Sequence, residues 1–228
     1  MKTDEQLNES PQLISYLSLR KAVGILGISF PVILVTGSVV CAGCEEIQGS
    51  ISSYYHTGMR NIFVGILCAI ALFMFAYKGY DQRDAMAGKL ACIFALGVAF
   101  FPTSVSGPFT KCLPVPIDNH LISSIHFVSA TLLFATLSYF SIALFTLSSK
   151  KPTTRKRKRN RLYMICGYAM IGSIVLIGVY ILVFEKRYPA LQSFDPVFWL
   201  ESIALWAFGI SWLTKGKAIL NDVEINDL

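Results

Sequence analysis

Charge is what this sequence has little of. Asp, Glu, Lys and Arg make up only 15% of its 228 residues, where a soluble domain carries about a quarter. A water-soluble globule of this length is therefore disfavoured. The 54% hydrophobic content excludes a disordered or collagen-like chain as well. Sustained apolar/polar alternation is missing, which argues against an outer-membrane barrel. There is no H-E-x-x-H and no nucleotide-binding loop, and no second cysteine pair accompanies Cys41-x-x-Cys44.

What is present is a series of long apolar runs. Six of them, over 22–41, 61–77, 85–101, 121–147, 162–184 and 197–213, reach the roughly 17–25 residues that a membrane-crossing helix needs, the fourth being long enough to tilt or to extend past the membrane. The expected fold is thus all-α, a polytopic bundle of six transmembrane helices spanning 22–213. A segment at 1–21, a basic loop at 148–161 and a tail at 214–228 lie outside the membrane. An uncut first helix is expected rather than a cleaved signal. Pro31 should kink that helix, while Gly24, Gly27, Gly167, Gly172 and Gly178 are spaced for close helix contact.

The basic residues set the orientation. Of the 20 Lys and Arg, only Arg60, Lys111, Lys186 and Arg187 fall on one side of this arrangement. The other side holds the termini and the run KKPTTRKRKRNR at 150–161, so both termini are expected in the cytoplasm of a plasma or bacterial inner membrane. The +6 net charge is then mostly a topology signal. The basic run is expected to touch anionic headgroups rather than nucleic acid.

Sorting the polar residues by side gives the candidate site. His56, His120 and His126 all fall at the outer end. Glu201 is the one acidic residue clearly inside an apolar run, about 6 Å deep at the helical rise of 1.5 Å per residue; His126 lies at roughly 7.5 Å on the same scale. An ionisable group at such a depth usually faces the bundle interior and has a partner, and His126 is the natural one. His56 and Arg60 stand four residues apart, behind the polar run 50–57. Ser53 is a weak nucleophile candidate beside His56. Cys44 and Cys112 are the likelier pair for an outer disulfide, with free interfacial thiols the equal alternative.

Several readings stay open. His56, Arg60, His126 and Glu201 form a pocket for membrane lipid; or Glu201 and His126 form a structural bond between the fourth and sixth helices. Alternatively His56, Asp118, His120, His126 and Glu201 supply zinc ligands for a metal-dependent lipid hydrolase. A small-solute transporter comes third, since one embedded carboxylate and no repeated halves argue against it. Lipid binding, sensing or maintenance is the preferred expectation, with membrane lipids as partners and zinc as the only cofactor considered.

Three segments carry a resemblance. SISSYYHTGMRNIFVGIL (50–67), IHFVSATLLFATLSYF (125–140) and FWLESIALWAFGISW (198–212) resemble, in order, the outer loop, His-led fourth helix and Glu-bearing last helix of DRAM/Sfk-type six-span membrane proteins and bacterial families near them. Members are linked to autophagy and lipid-anchor remodelling. The resemblance implies six spans and a His126/Glu201 layer, but no particular reaction. Ser53, His56 and His126 more loosely resemble the Ser and His elements of the CREST membrane hydrolases. This chain lacks their closing H-x-x-x-H and their seventh span, which weakens the implication of zinc chemistry.

Overall fold

The computed structural model describes residues 11–44, 47–79, 81–105, 112, 114, 117–147 and 153–220. These residues form six long helices and no strand: α1 (Pro11–Ala42), α2 (Arg60–Ala76), α3 (Gln82–Phe100), α4 (His120–Tyr139), α5 (Thr154–Val179) and α6 (Pro196–Lys215). Short π turns, Phe140–Leu144 and Tyr180–Phe184, extend α4 and α5, and 3₁₀ turns occupy Ser52–His56 and Pro189–Phe194. Each helix packs on its neighbours in sequence, and α6 closes on α1.

Four segments are long and apolar enough to cross a membrane: Tyr16–Cys41, His120–Leu144, Thr154–Phe184 and Pro196–Lys215. The exterior is apolar, with Ile25, Val40, Leu72, Phe75, Ile93, Leu121, Val128 and Leu182 among the exposed side chains. His56, His126, Ser138, Ser141, Ser202 and Ser211 are buried. An apolar outside around a partly polar inside is the pattern of an integral membrane protein, solvated by lipid rather than water. Two helices fall outside that length-and-composition class. α2 is apolar but has 17 residues, and α3 carries Arg83, Asp84 and Lys89 in its first half.

Two helix starts differ from the sequence expectation. α1 begins at Pro11 rather than near residue 22, so part of the expected N-terminal segment is helical; residues 1–10 lie outside the described set. The expected basic loop is in part the start of α5. Thr153 caps that helix by accepting from the Lys156 amide at 3.1 Å, and Arg and Lys are good helix formers. Lys111, Lys150, Lys151 and the tail from 221 onward also lie outside the described residues.

Lipid supplies little hydrophobic drive between helices, so close packing and polar contacts matter more. α1 and α6 approach through glycine. A Cβ on Gly24 would lie 2.8 Å from the Gly209 carbonyl oxygen, and one on Gly209 would lie 2.6 Å from that of Gly24. Gly27 abuts Phe208 and Gly167 abuts Ile142, whereas Gly172 and Gly178 face open space. Ser141 donates to Ser211 at 3.0 Å across the bundle.

The other end is anchored by Arg20, which is only 4% exposed. Its guanidinium lies 4.2 Å from the Tyr16 ring centroid and donates to the Tyr77 hydroxyl at 3.3 Å. Tyr77 in turn packs edge to face with Phe140 and Trp212, and Trp212 with Phe145. The site described next lies at the opposite end, where α4 and α6 begin.

Gly209→Val should destabilise the bundle by about 1–3 kcal/mol through overpacking, while Gly172→Val should shift the thermal midpoint little. Thermal unfolding in detergent, followed by tryptophan fluorescence, compares the two.

Candidate functional site

The site is assembled by the segment between α1 and α2 lying across the first turns of α6. The Phe198 amide donates to the Gly49 carbonyl at 3.1 Å, which sets that segment against the helix. Glu201, in the second turn of α6, then meets the chain at Ile51 and Ser52. Its Oε2 accepts from the Ile51 amide at 2.6 Å and the Ser52 amide at 3.4 Å, and its Oε1 accepts from the Ser52 hydroxyl at 3.1 Å.

Local chemistry explains the grip. A helical turn leaves its leading N–H groups without intrahelical acceptors. At the 3₁₀ turn Ser52–His56, Ser50 Oγ takes the Ser53 amide at 3.0 Å, and Glu201 takes the two before it. Tyr54, fully buried, holds the preceding chain by accepting from the Gln48 amide at 3.4 Å. Burial raises the Tyr54 phenol above its ordinary value, with the Gln48 contact pulling the other way.

His126 completes the arrangement from the second turn of α4. Its Nε2 lies 3.0 Å from Ser52 Oγ, and its Nδ1 lies 2.7 Å from the Phe101 carbonyl oxygen. A carbonyl oxygen only accepts, so the Nδ1 position carries a hydrogen. His56 likewise donates from Nε2 to the Thr103 carbonyl at 2.8 Å. The two histidines thus hold the segment that leaves α3, and both are 2% exposed or less.

Protons can be counted along this chain. Ser52 has one hydroxyl hydrogen and two neighbours, the Glu201 carboxyl and His126 Nε2. All contacts are satisfied if Glu201 is ionised and His126 is an imidazolium, or if Glu201 is protonated and His126 is neutral. In both forms the three side chains together carry no net charge, which is the arrangement least penalised by removal from water.

The sequence-predicted residues separate into two groups. His126 and Glu201 are brought together, but not directly: Ser52 stands between them, in place of the direct bond that one of the readings expected. Arg60 is engaged by Tyr55, donating to its hydroxyl at 2.7 Å with the guanidinium 4.5 Å from the ring centroid. Asp118 is exposed and accepts from the Ser104 hydroxyl at 2.5 Å; His120 is exposed at the start of α4.

The expected zinc set of His56, Asp118, His120, His126 and Glu201 is therefore not assembled. Among the described residues no three His, Cys, Asp or Glu side chains converge to hold a metal. The physical reason is positional: Asp118, on the connection, and His120, at the start of α4, are both exposed, and the buried histidines direct ring nitrogens at backbone carbonyls and Ser52.

Ser52 is the residue that sequence reasoning passed over in favour of Ser53. Ser53 pairs with Ser50 at 2.7 Å. The signal that marked Ser52 was the polar run 50–57 entering an apolar helix, which singles out no one serine. Cys44 and Cys112 form a disulfide with Cα atoms 5.6 Å apart, joining chain positions 68 residues distant. Cys41, Cys68, Cys92 and Cys166 are free thiols.

No protein-family model, no curated protein and no solved structure matches this chain.

Two results should follow from this geometry. Glu201→Gln keeps an acceptor for Ile51 and gains an amide donor for Ser52, so it should cost little stability. Glu201→Leu strands buried amides and should cost about 1–3 kcal/mol for each group left unsatisfied; their thermal midpoints distinguish the two. Alkylation of the unfolded, unreduced protein should modify four cysteines by mass, and six after reduction, in line with one disulfide and four free thiols.

Proposed function

We propose that this is a six-span membrane protein, with both termini cytoplasmic, that binds or senses membrane lipid at its outer face. The observation that carries the reading is the Glu201–Ser52–His126 chain. It is a charge-balanced polar group set where α4 and α6 begin, inside a girdle of exposed apolar side chains. A molecule reaching such a place from the surroundings arrives with its own apolar part in the bilayer and its polar part at the level of these residues. A lipid headgroup and its ester linkages have that form.

Six spans accord with the ring of helices. α2, at 17 residues, reaches about 26 Å at 1.5 Å per residue, short of a hydrocarbon core of about 30 Å but within what local thinning accommodates. The basic charge of α3 lies in its first half, beside the Arg20 end of the bundle. Cytoplasmic termini accord with Arg20 and Lys215 sharing that end, where Arg20 donates to the Lys215 carbonyl at 3.5 Å.

The test is native mass spectrometry of protein purified in mild detergent, with Glu201→Gln and His126→Phe alongside. Co-purifying lipid that persists in wild type and Glu201→Gln and falls in a folded His126→Phe variant supports the reading. Lipid retained equally by all three, or by none, overturns it. Orientation is checked in cells with a cysteine introduced at Lys158. Labelling by an impermeant maleimide only after permeabilisation is expected; labelling in intact cells contradicts the topology.

A further inference from the structure

Two observations at Ser52 go beyond binding. The hydroxyl oxygen lies 3.0 Å from His126 Nε2. The opposite ring nitrogen is held at 2.7 Å by the Phe101 carbonyl, which fixes the ring orientation and keeps the Nδ1 position protonated. In the form with Glu201 protonated, Nε2 has its lone pair directed at the Ser52 hydroxyl. A serine hydroxyl facing an imidazole lone pair, with the far side of the ring oriented by a third group, is the arrangement that activates a nucleophile. Here a main-chain carbonyl is the orienting group.

The fourth partner indicates the substrate. Glu201 places a carboxyl group beside Ser52, one oxygen 3.1 Å from Oγ and the other on the amide hydrogens of Ile51 and Ser52. A carboxyl and a carboxylic ester share a planar shape and an acceptor oxygen. The donors that hold the Glu201 carboxyl, the Ile51 and Ser52 amides, are therefore of the kind that would hold an ester carbonyl beside Ser52.

We propose that Ser52 is the nucleophile, and His126 the general base, of a metal-independent acyl-transfer site acting on carboxylic esters of membrane lipids. This rests on the reading that the outer layer meets lipid. An ester carbonyl takes the place held by the Glu201 carboxyl. Ser52 Oγ bonds to the carbonyl carbon while its proton passes to His126 Nε2. The carbon–oxygen bond to the lipid alcohol breaks, and that alcohol leaves with the proton from His126. Water then attacks the acyl-serine, giving one proton to His126 as the bond to Oγ breaks, and Ser52 recovers it. The net change is ester plus water to acid plus alcohol, with no change of oxidation state.

The full-length protein in phospholipid nanodiscs is treated with a fluorophosphonate probe, and the modified residue is found by peptide mass spectrometry. The proposal predicts a covalent adduct on Ser52, insensitive to a metal chelator and formed about 100-fold or more slowly in His126→Gln, the usual scale for losing a positioned base. Mapping the adduct on the wild-type chain keeps the test valid even if Ser52→Ala fails to fold. A wild-type protein with a cooperative thermal transition and no adduct on Ser52 overturns the proposal. So does an adduct formed as quickly in a folded His126→Gln variant. If lipid still co-purifies in either case, only the acyl-transfer step fails; if no lipid does, the lipid reading fails with it.

Discussion

The end of the bundle where α4 and α6 begin depends on one carboxyl group. Glu201 enters from α6 and takes the amides of Ile51 and Ser52 together with the Ser52 hydroxyl. That single side chain fixes the segment between α1 and α2. The segment in turn presents Ser52 to His126, and His126 holds the chain leaving α3. Two helices and two connections are thereby tied through one hydrogen-bonded chain. Carrying an ionisable group this far into an apolar helix costs a few kcal/mol on insertion scales. The cost is met by pairing: the Glu201 carboxyl has the Ile51 and Ser52 amides and the Ser52 hydroxyl as partners.

The two ends of the bundle solve the same problem differently. At the Arg20 end a cation is covered by aromatic rings and a tyrosine hydroxyl, and packing of Tyr77, Phe140, Phe145 and Trp212 dominates. At the Glu201 end the partners are hydroxyls, imidazoles and main-chain groups, with a disulfide between Cys44 and Cys112 closing the connections above. The first end is dense and built of large rings. The second is polar and built from short side chains, and it is there that an exchangeable proton and a nucleophilic oxygen meet.

Much of this was legible in the residues, and the reasons are physical. Apolar runs marked the positions of the six long helices, and four of the helical segments are also long and apolar enough to cross a membrane. The start of α5 was missed because Arg and Lys favour helix without contributing hydropathy, and that of α1 because Gln12, Ser15 and Ser18 interrupt its apolar residues ahead of Arg20 and Lys21. Glu201 stood out because charge in an apolar run is rare, and His126 stood out by depth. Ser52 did not, since a serine in a polar run carries no signature, and spacing from His56 drew attention to Ser53 instead. The carbonyls of Phe101 and Thr103, which orient both buried histidines, are invisible to any reading of side chains. Asp118 and His120 shared a side with the site but not its depth, and the zinc set fell apart for that reason.

A double-mutant cycle between Glu201→Ala and His126→Ala, run in both Ser52 and Ser52→Ala backgrounds, addresses the hydrogen-bonded chain most directly. Glu201 and His126 should be coupled by about 0.5–3 kcal/mol in thermal or denaturant unfolding, as residues of one network are, and the coupling should vanish once Ser52 is alanine. Additive effects with Ser52 in place would contradict the account.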